Sequence, residues 1–74
     1  MLEQNIIKVL KQTRKAMRPK MNQTKVAEAL DVSSKTVYRI ESQYVPLTLT
    51  LFLALCNLYG VEPEQIIIEA KNIN

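Results

Sequence analysis

The stretch from Gln23 to Ile40, QTKVAEALDVSSKTVYRI, constrains this chain more than any other. Val26 and Leu30 stand four residues apart and Val37 and Ile40 three apart, so each pair lies on one helical face. Asp31-Val32-Ser33-Ser34 interrupts the period between them. Asp tolerates the left-handed backbone of a tight turn better than most residues. The Ser33 hydroxyl can accept an orphan N–H at the start of the second helix. Ala27 is small where two helices would meet closely. The spacing predicts two short helices joined by a sharp turn, with Ser34, Lys35, Tyr38 and Arg39 facing outward on the second.

The flanking chain also reads as helix. A first helix over about Glu3 to Met17 carries an apolar stripe of Ile6, Ile7, Leu10 and Met17, with Val9 or Thr13 at its margin. Lys8, Lys11, Arg14, Lys15 and Arg18 are assigned to its remaining surface, where cations near the C-terminal end suit the helix dipole. Pro19 disfavours helix at Arg18 and ends the element. Asn22 is placed to cap the helix from Gln23 to Leu30, and the next runs from Ser34 to Glu41. After a loop containing Pro46, Thr48 caps a helix from Leu49 to Tyr59 that Gly60 terminates. Pro63 suits the first turn of a last helix to Ala70, capped from Glu62 or Val61, and Lys71 to Asn74 form a frayed tail. LTLTL, residues 47–51, alternates like a strand, but its continuation FLALCNLY does not, and the capping signals bracket a helix.

Seventy-four residues allow one domain with one small core, burying about 60% of the unfolded surface. A hydrophobic share of 47% makes the chain globular rather than disordered. Charge is unevenly spread: residues 1–41 hold nine Lys/Arg against four Asp/Glu, and residues 42–74 one against three. A basic half beside an acidic half points to a polyanion on one face and something else on the other. With no His and only Cys56, neither a metal cluster nor an intrachain disulfide is expected. Cys56 reads as a small buried hydrophobe. No nucleophile–base pair or phosphate loop stands out, so no catalytic residue, cofactor or enzymatic activity is expected. The first helix mixes its apolar residues with Lys and Gln, unlike a secretory leader. Leu47 to Leu58 is apolar, but twelve residues cannot span a bilayer, which points to a cytoplasmic location.

The helix from Leu49 holds more apolar residues than one core face can use. Leu49, Phe52, Leu53, Cys56 and Tyr59 are expected inward, leaving Leu51, Leu55 and Leu58 at the edge or outside. One of Ile66, Ile67 and Ile68 must also face outward. Such a patch marks an association site, here a homodimer through Leu51, Leu55, Leu58, Ile67 and Ile68. The alternative is that the last helix folds over these leucines.

QTKVAEALDVSSKTVYRIE resembles the helix-turn-helix of the phage-repressor/Cro (XRE) family. The resemblance rests on Gln23 opening the first helix, the small residue in its middle, the Val32-Ser33 entry and the Thr36-Val37-x-Arg39-Ile40-Glu41 ending. It runs on through Tyr59-Gly60-Val61, over roughly residues 5 to 68. Two departures are Asp31, where the turn usually carries Gly, and Glu41-Ser42-Gln43, where the loop often reads Glu-Asn-Gly. The resemblance implies an all-α, compact five-helix lambda-repressor-like domain with its helix-turn-helix in helices 2 and 3. It also implies a double-stranded DNA partner and pairing between copies, and it gives Gln23 a phosphate contact and a bracing role toward the recognition helix.

In such a motif the N-terminal part of the second helix enters the major groove. Arg39 can then bond guanine O6 and N7, and Lys35 guanine or a phosphate. Ser34 suits either kind of group, and Tyr38 a thymine methyl or a phosphate. The competing role for Arg39 is an ion pair with Glu41 or Glu28. Asn22, Gln23, Thr24 and Lys25 open the first helix of the motif, where free N–H groups bind phosphate. Arg18 and Lys20 upstream, and Ser42, Gln43 and Tyr44 after the recognition helix, can reach flanking phosphates. Glu41 reads as structural. The expected function is a sequence-specific transcriptional regulator, a repressor, binding a pseudo-palindromic operator as a homodimer. The alternative is a protein-interaction or antitoxin-type module that uses the leucine-rich face on another protein. Clustering of charge on the expected DNA face favours the first.

Overall fold

The computed structural model describes residues 2–43 and 45–73. Five helices follow one another: α1 Leu2–Ala16, α2 Gln23–Leu30, α3 Ser34–Glu41, α4 Leu49–Tyr59 and α5 Pro63–Lys71. No strand occurs among the described residues, and residues 47–51 enter α4 as helix.

Local chemistry explains the boundaries. Asn22 Oδ1 accepts the Lys25 N–H at 2.9 Å, Ser33 Oγ the Thr36 N–H at 3.1 Å, and Thr48 Oγ1 the Leu51 N–H at 3.2 Å. Each cap satisfies a donor that its helix cannot. At the other ends, α2 and α4 stop the same way. Asp31 (φ 57°) and Gly60 (φ 69°) adopt the left-handed conformation. The next residue, Val32 or Val61, donates back to Ala27 or Cys56 at 3.0 Å. Both are Schellman turns, so Asp31 performs in the motif what Gly60 performs after α4. Pro63 opens α5, and Glu62 precedes it without a side-chain cap bond.

All five helices contribute to one core. Val9 and Leu10 of α1, Val26 and Ala27 of α2, Val37 of α3, Phe52, Leu55, Cys56 and Tyr59 of α4, and Ile66 and Ala70 of α5 are buried together. The Asn5 side chain donates to the Ala70 carbonyl at 3.1 Å, fastening α1 to α5. Cys56 is buried and free, and burial pushes its thiol upward, with the Glu64 carboxylate adding to the effect. No single helix among the described residues is long and apolar enough to cross a membrane; α4 and α5 pass that test only as a pair bent by 105°.

The inward face of α4 is rotated from the expected one. Leu55, expected at the edge or outside, is 6% exposed, whereas Leu49 and Leu53, expected inward, are 70% and 46% exposed. Leu51 and Leu58 are half-buried. A helix that is apolar all round has no amphipathic signal to orient it. What orients it is the neighbouring motif: Leu51, Leu55 and Tyr59 line a narrow apolar seam with Leu30, Val32, Val37 and Ile40. Leu55 therefore supports α2 and α3 from behind and is not available as a dimer contact. On α5, Ile66 is buried, Ile67 half-buried and Ile68 52% exposed.

Candidate nucleic-acid interface

Helix α3 has eight residues and spans about 12 Å at 1.5 Å per residue. Val37 and Ile40 anchor it in the core. That anchoring leaves Ser34, Lys35, Tyr38 and Arg39 exposed on one side, with Tyr38 51% exposed. Lys35 and Arg39 are four residues apart and share a face. Among the described residues neither makes an ion pair.

Glu41 does not hold Arg39, because its carboxylate is engaged elsewhere. Arg14 Nε donates to Glu41 Oε2 at 2.7 Å, and a second guanidinium nitrogen donates to Oε1 at 3.0 Å. A third donates to the Met21 carbonyl at 3.1 Å, and Gln23 Nε2 donates to Glu41 Oε1 at 2.9 Å. This forked, charge-assisted arrangement ties the last turns of α1, the approach to α2, and the C-terminal end of α3 into one unit. Glu41 is structural, as its position suggested, and one amide N–H of Gln23 braces α3. The cluster borders Tyr59, whose hydroxyl pKa is pushed up to about 12 by burial first and the Glu41 carboxylate second, with Arg14 opposing.

Arg14 corrects the expectation that it belongs to the solvated surface of α1: it is 8% exposed. The signal lay in its spacing. Ile7, Leu10 and Arg14 recur at three and four residues, which puts Arg14 on the apolar stripe. A buried charge needs a buried partner, and Glu41 is that partner.

The expected phosphate contacts gather at two places. At the start of α2, Asn22, Thr24 and Lys25 are exposed and Gln23 is half-buried. Asn22 spends its oxygen on the cap, which leaves the Gln23 and Thr24 backbone N–H groups as the helix's unsatisfied donors there. Lys25 Nζ donates to the Lys20 carbonyl at 3.3 Å, which holds the Lys25 ammonium against the loop before α2. Arg18 turns back on α1, donating to the Met17 carbonyl at 2.8 Å and the Lys15 carbonyl at 3.4 Å. After α3, Ser42 and Gln43 are exposed, and Gln43 adopts φ 66° where the resemblance would place Gly. Tyr44, also expected here, lies outside the described residues.

A family model described as helix-turn-helix matches residues 10–66, from the middle of α1 into α5. No curated protein and no solved structure matches the chain significantly.

Proposed function

This chain belongs to the helix-turn-helix family of the XRE, Cro and lambda-repressor type, a family of DNA-binding transcriptional regulators, and from that premise we propose that it represses transcription by binding a pseudo-palindromic operator as a homodimer. The observation that carries the sequence-specific reading is the pair Lys35 and Arg39, exposed on α3 while the helix's one carboxylate, Glu41, is occupied by Arg14. In this reading residues 1–74 act as one domain. Arg39 reads guanine, Lys35 reads guanine or holds a phosphate, and Ser34 and Tyr38 complete the contact with base edges. Asn22, Gln23, Thr24, Lys25 and Lys20 position the protein on one stretch of backbone, Ser42 and Gln43 on another, and Arg18 adds charge beside the first.

The dimer uses apolar side chains that the core leaves wholly or partly exposed. Leu49 and Leu53, four residues apart on α4, and Ile68 on α5 are exposed, while Leu51, Leu58 and Ile67 are half-buried. Contiguous apolar surface on a small domain favours association. Pairing sets the two recognition helices one DNA turn apart, about 34 Å.

Selection of bound sequences from random duplex DNA at near-physiological salt tests the proposal. An inverted repeat with half-site centres about ten base pairs apart is expected. Recovery of no motif, with only salt-sensitive bulk affinity, would remove the operator-binding reading and favour a protein-interaction module.

A further inference from the structure

Helix α1 carries Lys8, Lys11 and Lys15 in addition to the buried Arg14, and none of these lysines enters an ion pair among the described residues. Their placement relative to α3 follows from the helix period. Gln4, Ile7, Lys11 and Arg14 recur at three, four and three residues, so they form one strip along α1. The lower end of that strip, Gln4 and Ile7, borders an open groove with Gln43, Val45 and Pro46. The upper end, Arg14, is clamped to Glu41 at the end of α3. Lys11, half-buried, therefore lies on the border of α1 that runs beside the Ser42–Gln43 loop. Lys8 and Lys15 are exposed on the adjoining outward strip, seven residues or about 10 Å apart.

Charge elsewhere sharpens the assignment. Glu3 is the one acid on α1, and its carboxylate accepts the Leu47 N–H at 2.9 Å. The exposed acids Glu62, Glu64 and Glu69 belong to α5 or its approach, and α5 is fastened to the opposite flank of α1 through Asn5 and Ala70. Lys11 thus shares a flank with α3 and its following loop, and Lys8 and Lys15 lie on the outward face of α1 between that flank and the acidic helix.

We propose that Lys8, Lys11 and Lys15 form a second phosphate track on α1, which continues the backbone contact of the Ser42–Gln43 loop along the DNA flanking each half-site. The track is blind to sequence, because ammonium groups on flexible stems neutralise phosphates as point charges. It raises affinity for all duplex DNA and makes that affinity steeper in salt. The inference rests on the DNA-binding reading above.

The test is the salt dependence of binding to a random-sequence duplex and to the selected site, for the unaltered protein and for the triple variant Lys8→Gln/Lys11→Gln/Lys15→Gln. Each lost phosphate contact lowers the slope of log affinity against log salt by about 0.9, so the triple variant should lose about 2 to 3 for each bound protomer, about 5 for the dimer, on both duplexes. The ratio between the two affinities should hold. The charge-preserving Lys8→Arg/Lys11→Arg/Lys15→Arg variant should keep the full slope, which separates charge from any change in helix stability. An unchanged slope in the Gln variant makes the stripe a solvated face and overturns the inference while leaving operator binding intact. A collapsed affinity ratio overturns it also, because the lysines would then be reading sequence. Absence of DNA binding by the unaltered protein removes both readings.

Discussion

Glu41→Ala is the most exposed consequence of the structure. The substitution removes the acceptor of two Arg14 hydrogen bonds, at 2.7 and 3.0 Å, and of the Gln23 bond at 2.9 Å. Arg14 stays buried with the Met21 carbonyl as its remaining partner. Removing one partner of a buried ion pair costs about 3–5 kcal/mol, because the other charge is left uncompensated. A chain of this length has about 4–11 kcal/mol of stability in total, from about 0.05–0.15 kcal/mol per residue. The loss therefore consumes a large share. Each kcal/mol moves Tm by about 4–8 °C in a domain this size, so a cost of about 3 kcal/mol lowers Tm by about 12–24 °C. Urea titration followed by circular dichroism measures it directly, with the slope m unchanged if only the native state is affected. The double variant Arg14→Met/Glu41→Leu should recover most of the loss, since two apolar groups of similar size need no partner. A cost below about 1 kcal/mol for Glu41→Ala would refute the reasoning, because the pair would then behave like a solvated surface bridge.

Four further outcomes follow from named contacts. Arg39→Ala should weaken specific binding by about 1–3 kcal/mol and relax discrimination at one base position; equal loss on every sequence in a titration panel would move Arg39 to the backbone. Leu53→Glu or Ile68→Glu should yield folded monomers in sedimentation, whereas Leu55→Ala should cost about 2–5 kcal/mol of stability through a cavity behind the motif; unchanged dimers in both Glu variants would rule out this face. Gln43→Gly should stabilise the fold by about 0.5–1 kcal/mol in urea, since a left-handed L-residue costs about 1–2 and Gly gives part of that back in unfolded entropy; a net loss would mean the Gln43 side chain contributes a contact. Tyr59 has a native pKa near 12 against an ordinary value of 10, so between those pH values the unfolded chain releases a proton that the native state keeps. Its contribution is complete below pH 10 and falls by about 1.4 kcal/mol per pH unit toward 12. Stability curves of the unaltered protein and Tyr59→Phe should diverge in that window, and parallel curves would contradict the buried placement.

Most of the backbone was legible because its signals are local. Asn22, Ser33 and Thr48 announce helix starts, Asp31 and Gly60 announce ends, and each does so through its own side chain or its tolerance of positive φ. The outward side of α3 was equally legible, since only Val37 and Ile40 compete for its core face. What failed to show was orientation where local signals are degenerate. In α4, leucines surround the axis, and only contact with α2 and α3 selects Leu55 over Leu49 and Leu53. Arg14 was hidden for a related reason. Its position follows the apolar stripe, but its residue type argues for water, and a partner 27 residues away decides the matter. Gln43 belongs to the same class: its left-handed backbone is imposed by the turn out of α3, against its own preference.

Arg14 and Glu41 also connect stability with recognition. Helix α3 has two exposed cations, Lys35 and Arg39, and one acid, Glu41. In the proposed complex, an acid left free at the end of α3 would repel the phosphates assigned to Ser42 and Gln43. With Arg14 on both of its oxygens, Glu41 is neutralised inside the fold and the surface of α3 keeps the charge of its two cations. The Arg14→Met/Glu41→Leu variant removes one charge of each sign and leaves the net charge as it was. If the pair serves only to hold α3 in place and to hide its acid, that variant binds the selected site with unaltered salt dependence. A lowered slope would instead show that the Arg14 guanidinium contributes to the field the DNA meets, and that the buried pair is part of the interface as well as its support.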